Sequence, residues 1–225
     1  ATTISIIFVY ETLQANQAQK QRWKEMELEQ SRTAIILSQV QPHFLYNVLL
    51  GIKQLCDSNP KKASEALEHL AFYMRRNLNS LTRKQLIPFD EEMCHVNDYL
   101  YLEKMRFEEK LTVVLDLEYT DFFLPAMTVQ PIAENAVRWG ITKKKGGGTL
   151  TIKSQLAGEE VMISVMDDGA GFDPNEIRND GKTHVGIENV RQRLMLQCGG
   201  TLSINSKKGS GTTVTIRLPQ KGRNK

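Results

Sequence analysis

Four short clusters along these 225 residues carry side chains able to do chemistry. The first is Gln41-Pro42-His43-Phe44-Leu45-Tyr46-Asn47. On a helix, Gln39, His43 and Asn47 are spaced by four and share one face, so Asn47 is placed to hydrogen-bond or orient the imidazole. An exposed neutral imidazole, with an ordinary pKa of about 6.5, is a competent nucleophile near neutral pH. A lone helical histidine is more often a plain surface or core residue, and only its company argues otherwise.

That company begins with Gln130-Pro131-Ile132-Ala133-Glu134-Asn135-Ala136-Val137-Arg138-Trp139-Gly140. Glu134, Asn135 and Arg138 fall on one side of a helix whose other side is apolar. Oxygen ligands so placed suit Mg²⁺ shared with nucleotide phosphates, because this ion keeps several of its waters. The third cluster, Asp167-Asp168-Gly169-Ala170-Gly171-Phe172, follows a strand. A carboxylate there can accept a hydrogen bond from an exocyclic amine such as adenine's, and the glycines let the backbone turn closely round a ligand. The fourth is Gly181-Lys182-Thr183-His184-Val185-Gly186, opening a helix, with Gly209-Ser210-Gly211-Thr212 later. Backbone amides at a helix start attract phosphate. Residues 171–185 read as a lid, as long polar loops often are.

The elements that must position these groups follow from periodicity. Residues 11–32 are rich in Gln, Glu, Lys and Arg without Gly or Pro, and predict a long polar helix running on through Val48 with a kink at Pro42. Asn59 is expected to cap a second helix with Pro60 at its first position, which makes a helical hairpin. That helix carries Leu67, Leu70, Ala71, Met74, Leu78 and Leu81 as an apolar stripe. Two helices seldom make a core, so a second copy completing a four-helix bundle is the expectation. Asp90 is expected to cap a third helix ending near Phe107. From Leu111 the period changes to two: strands are predicted at 111–117, 150–152, 161–165 and 214–218, with helices near 127–140 and 186–197. The second half is then an open sheet with helices on one face, and the fold class is α+β.

Composition narrows the reading further. With 40% hydrophobic and 24% charged residues the chain is an ordinary globular protein, and a net charge of +3 is too balanced to signal nucleic-acid binding. Cys56, Cys94 and Cys198 lie far apart, which suits reduced thiols buried as small core residues. The apolar run at 4–10 is far shorter than the roughly 20 residues that cross a bilayer. A chain that starts just after a membrane helix would look like this. His69 and His95 read as surface or interface residues, and Lys143-Lys144-Lys145 as a solvated run.

Together the clusters resemble sensor histidine kinases of the LytS/YesM-like group, whose H-box reads roughly Asn-Pro-His-Phe-Leu-Phe-Asn; the resemblance runs from about Ser31 to Leu218. It implies a helical dimerisation and phosphotransfer domain at 31–108, after a signalling helix at 1–30. An ATP-binding domain of the GHKL (Bergerat) fold, shared with gyrase and MutL, would follow at 109–220, with a tail at 221–225. The resemblance also implies autophosphorylation of His43 by MgATP and transfer to an aspartate of a response-regulator receiver domain. In residues, it makes His43 the phosphoacceptor with Asn47 beside it, and Glu134 a group that polarises the attacker. Asn135 becomes the Mg²⁺ ligand, Asp167 the reader of the adenine amine, Gly169 and Gly171 the pocket floor, and Gly186 the start of the phosphate-facing helix. Thr212 lies near the base, and Arg138 joins the nucleotide contacts. The implied partners are a second copy of the chain and a response regulator, with no direct nucleic acid. A sensor region preceding this fragment would hold it at the cytoplasmic side of the bacterial membrane. Trp139 and His184 depart from the family, where His and Gly are usual, and leave two rivals standing: a GHKL-type ATPase and a non-catalytic dimeric scaffold.

Overall fold

The computed structural model describes residues 42–80, 85–173 and 185–220, and positions 19, 22 and 23. The chain divides into two compact units, Ala1–Leu45 and Tyr46–Lys225. In the first, positions 19, 22 and 23 are helical and residues 42–45 open helix α1 (Pro42–Ser58). The apolar run at 4–10, the rest of the polar helix at 11–32, and Gln39 and Gln41 before Pro42 lie outside the described residues.

The hairpin forms as its turn residues dictate. Asn59 Oδ1 accepts the N–H of Lys62 at 3.1 Å, and Pro60 takes the first position of α2 (Pro60–Ser80). Such a cap contributes about 1 kcal/mol, and proline there gives up only a donor that would lack a partner anyway.

Within this chain α2 packs through a face that shares only Leu70 with the expected stripe. Ala63, Ala66, Leu70, Tyr73 and Asn77 are buried where α2 packs on α3 (Phe89–Phe107), whereas Leu67, Met74 and Leu78 remain 49%, 39% and 46% exposed. Large apolar side chains mark the stripe in sequence, but small alanines let a neighbouring helix approach. Helix α1 likewise exposes Tyr46, Leu49 and Leu50. Leu81 lies outside the described residues.

A second correction concerns the start of α3. Pro88 holds the capping position without a side-chain bond, and Asp90 sits inside the first turn beside Glu91 and Glu92. Acidic residues there complement the helix dipole. Glu92, however, is wholly buried.

After a 3₁₀ turn come β2 (Leu111–Leu117), β4 (Gly148–Ala157), β5 (Glu160–Asp167), β6 (Thr201–Lys207) and β7 (Gly211–Pro219), ordered β2-β4-β5-β7-β6. Only the β2–β4 pairing is parallel. A two-stranded ribbon of β1 (Leu86–Pro88) and β3 (Phe123–Pro125) stands apart. Neither ribbon strand nor β6 was expected: three residues are too few to show alternation, and β6 reads Thr-Leu-Ser-Ile-Asn-Ser-Lys.

The sheet has one apolar face. Ile152, Val161, Ile163, Val165, Val214 and Ile216 are buried on it together with Ile132, Ala133 and Val137 and with Val190 and Leu194 of α5 (Val185–Cys198). On the strands the opposite face carries half-buried or exposed Lys153, Ser164, Thr213, Thr215 and Arg217. Helices on one face of an open mixed sheet are the expected arrangement, and burying one such isoleucine contributes about 2 kcal/mol. Of the cysteines only Cys198 is buried, so Cys56 and Cys94 are not core residues. His95 is buried rather than superficial, and the half-buried His69 pairs through Nδ1 with Asp98 at 2.8 Å. No described helix is long and apolar enough to cross a membrane.

Candidate functional site

Asp167 is the last residue of β5, and its carboxylate is 8% exposed at the edge of a cleft of about 270 Å³. Val165, Ile187, Ile204 and Val214 make the cleft apolar, while Asn135, Asp167 and Thr212 supply its polar points. A mostly apolar pocket with few convergent polar groups is what a flat heteroaromatic ligand requires. Burial pushes the Asp167 carboxyl above its ordinary value, and the N–H groups of Gly169 and Thr212 partly offset that. One of these bonds is explicit, with Gly169 N donating to Asp167 Oδ1 at 2.9 Å.

The floor depends on glycine at two points. A Cβ on Gly169 would stand 2.1 Å from the Gly140 carbonyl carbon, so only a bare backbone can pass. Gly171 adopts φ 56°, and a Cβ there would meet the Lys207 carbonyl oxygen at 2.1 Å. Ser206 Oγ binds the turn together, accepting from Phe172 N at 3.0 Å and sharing a 2.9 Å bond with Thr212 Oγ1. Thr212 is thus tied to its cross-strand partner and lines the cleft.

The opposite wall is α4 (Gln130–Asn135), continued by a π-helical turn over Ala136–Gly140. The helix expected from residue 127 starts three residues later, because Met127 takes a left-handed φ of 58° and the chain bends before Gln130. Asn135, Trp139 and Gly140 line the cleft. Arg138 instead lies over the Trp139 ring at 4.7 Å, and Lys143 Nζ is 5.6 Å from the same ring. Lys144 is held by Asp168, donating to its carbonyl oxygen at 2.8 Å. Asp168 Oδ1 also accepts the N–H of Thr149 at 2.7 Å, which makes Asp168 a turn clamp.

Glu134 points elsewhere. Its Oε1 accepts from Gln130 Nε2 at 2.8 Å and from the Tyr73 hydroxyl at 3.4 Å, and Gln130 Nε2 also donates to Asn77 Oδ1 at 3.0 Å. Beside this group Glu103 is buried, and its carboxyl is pushed up to about 7 by burial, with Arg106 opposing and Glu134 adding to the rise. Tyr73, Asn77, Gln130 and Glu103 therefore join α2, α3 and α4 in one polar seam. Sequence reasoning gave none of them a role, and their partners stand up to 61 positions away.

Of the residues singled out from sequence, Asn135, Asp167, Gly171 and Thr212 come together round the cleft, with Gly169 beneath. Glu134, Arg138 and Gly186 do not line it. His43, in the other unit, is exposed on the first turn of α1, and Asn47 is half-buried one turn on. Residues 174–184, most of the expected lid and including His184, lie outside the described residues.

A one-sided mixed sheet with an acidic strand end facing an asparagine-bearing helix suits a nucleotide, and the family match over its residues makes it an ATP-binding fold of the GHKL class. Comparison with known proteins agrees: residues 124–222 match the family of histidine kinase-, DNA gyrase B- and HSP90-like ATPases, and residues 31–111 match the histidine kinase family. The chain is 39% identical to YwpD of Bacillus subtilis over 192 residues, spanning 82% of this chain and 69% of that protein. It is 31% identical over 201 residues to the sensor histidine kinase YesM of the same organism, covering 87% of this chain and 34% of YesM. Among solved structures, the Acinetobacter baumannii histidine kinase AdeS aligns with a TM-score of 0.49 at 20% identity, over 88% of this chain and 95% of that one. The chain belongs to the sensor histidine kinase family, and it spans about a third of the length of YesM.

Proposed function

We propose that this chain is the kinase core of a two-component sensor, in which ATP held against Asp167 phosphorylates His43. The observation that carries this reading is the cleft itself, where a buried carboxylate, an asparagine amide and a threonine hydroxyl converge on apolar walls. The carboxylate of Asp167 suits the adenine amine, and Val165, Ile187 and Val214 suit the faces of the base. His43 is exposed on the first turn of α1, as a phosphoacceptor has to be. In the reaction an imidazole nitrogen bonds to the γ-phosphorus as the bond to the β,γ-bridging oxygen breaks; ADP leaves and the ring loses its N–H proton. The phosphoryl group then passes to an aspartate carboxylate of a receiver domain.

Among the described residues no group of three or more His, Cys, Asp or Glu could hold a metal ion. The neutral amide oxygen of Asn135 at the cleft edge fits Mg²⁺ only as an ion shared with phosphates, and Asn135 is the residue proposed to hold it. When bound, Mg²⁺ would neutralise phosphate charge. Asn47, four residues beyond His43, is proposed to orient the imidazole. Glu134, turned toward Gln130 and Tyr73, is proposed to fix the helix that carries Asn135. We assign the phosphotransfer part to 31–108 and the nucleotide part to 109–220. The proposed partners are a second copy of the chain and a receiver domain, and the proposed location is the cytoplasmic face of the membrane.

The deciding experiment uses γ-labelled ATP. Wild type should acquire acid-labile, base-stable label, and His43→Gln should acquire none while binding ADP normally. Label that persists in His43→Gln, or that survives acid, would overturn the assignment.

A further inference from the structure

We propose that Glu92 of α3 and Arg193 of α5 act as a two-sided clamp on the Met127 bend, and so are positioning residues for the nucleotide cleft. This rests on the reading that the cleft binds nucleotide.

Helix α4 has only six residues, too few to be stable alone, and no side chain of its own capping position serves its first amides. They are served from a distance. Glu92 Oε2 accepts Met127 N at 2.9 Å, while Oε1 accepts Val129 N at 2.8 Å and Gln130 N at 3.1 Å. One wholly buried carboxylate thereby takes three backbone donors at the helix start, where negative charge is favoured. Arg193 grips the same residue at its next peptide, its guanidinium donating to the Met127 carbonyl oxygen. The charges of Glu92 and Arg193 also attract each other.

The gripped residue is unusual. Met127 is a non-glycine residue at φ 58°, a conformation that persists only where its surroundings enforce it. Releasing either hand frees the bend to relax and rotates α4, moving Asn135 relative to Asp167. The two hands come from different places: α3 packs on α2, whereas α5 begins just after residues 174–184 and packs on β6 and β7. Asn135 is thus held jointly by both sides of the cleft's surroundings.

The test compares wild type with Glu92→Gln, Arg193→Met and Arg193→Lys. ADP affinity and amide exchange at Val129 and Gln130 are measured at a temperature where each variant is fully folded by circular dichroism. A clamp predicts at least tenfold weaker ADP binding and faster exchange at both amides for Glu92→Gln and Arg193→Met. Arg193→Lys, which keeps a donor, should recover most of both losses. Should Glu92→Gln not fold, the two Arg193 variants decide alone. A folded Arg193→Met with wild-type affinity and exchange overturns the clamp, as does a Lys variant no better than Met. If wild type itself fails to bind ADP, the nucleotide reading falls, and the exchange data still judge the clamp.

Discussion

Asp167 and Gly169 are bound to each other: the carboxylate at the end of β5 turns back to accept the glycine N–H at 2.9 Å. One oxygen is thereby fixed by the backbone, and the carboxylate keeps further acceptor capacity toward the cleft. The chain in turn must lie flat on Gly140, which leaves no room for a Cβ on Gly169.

Asp167→Asn should therefore weaken ATP binding by about 2 kcal/mol, since a hydrogen bond to a charged acceptor is lost and an amide group opposes the amine. Because burial raises this carboxyl, nucleotide affinity in wild type should fall as pH drops through the raised value. The variant should show no such fall. Calorimetric titration with ADP across acidic pH checks both, and equal pH profiles would exclude Asp167 as the acceptor.

Glu103 predicts a stability effect of the opposite sense. Its folded pKa of about 7 lies above the ordinary 4.5, so the fold favours the neutral acid. Stability from this group is complete below the unfolded value and is lost as pH rises toward 7, at up to about 1.4 kcal/mol per pH unit. Glu103→Gln removes the slope. Denaturant unfolding at pH 5 and pH 8 should show the variant gaining on wild type by about 2 kcal/mol at the higher pH. A difference independent of pH would refute the assignment.

The exposed stripe of Leu67, Met74 and Leu78 on α2, with Tyr46, Leu49 and Leu50 on α1, predicts a self-associating surface. Wild type should run as a dimer in light scattering, and Leu67→Lys with Met74→Lys as a monomer. The circular dichroism of the pair should be unchanged, because the face packed on α3 is untouched. A monomeric wild type would contradict the proposal.

How much of this was legible depended on the range of the interaction. The Asn59 cap, Pro60 at the helix start and the alternation of Val161, Ile163 and Val165 are local, and each could be read from a few neighbouring residues. Asp167 and Asn135 are legible because strand ends and helix faces are also set locally, whereas the role of Thr212 rests on the resemblance alone. Glu92 has no local sign of its role, since nothing near it in sequence shows that it reaches Met127, 35 positions away. Gln130 and Glu103 were likewise silent. The packed face of α2 was missed because Ala63 and Ala66 look neutral in sequence, and their value lies in what comes close to them. The late start of α4 reflects a left-handed methionine that tertiary contacts impose against its own preference.

The π-helical turn at Ala136–Gly140 sets a strict register on the chain that follows it. Such a turn is an α-helix holding one surplus residue, and each residue of helix rotates the chain by about 100°. Loss of any single residue between 136 and 140 would restore ordinary winding and swing Gly140 off Asp167. Gly140 is fixed by its close approach to Asp167 and the length of the segment by its winding, so insertions and deletions among working relatives should stop at its borders.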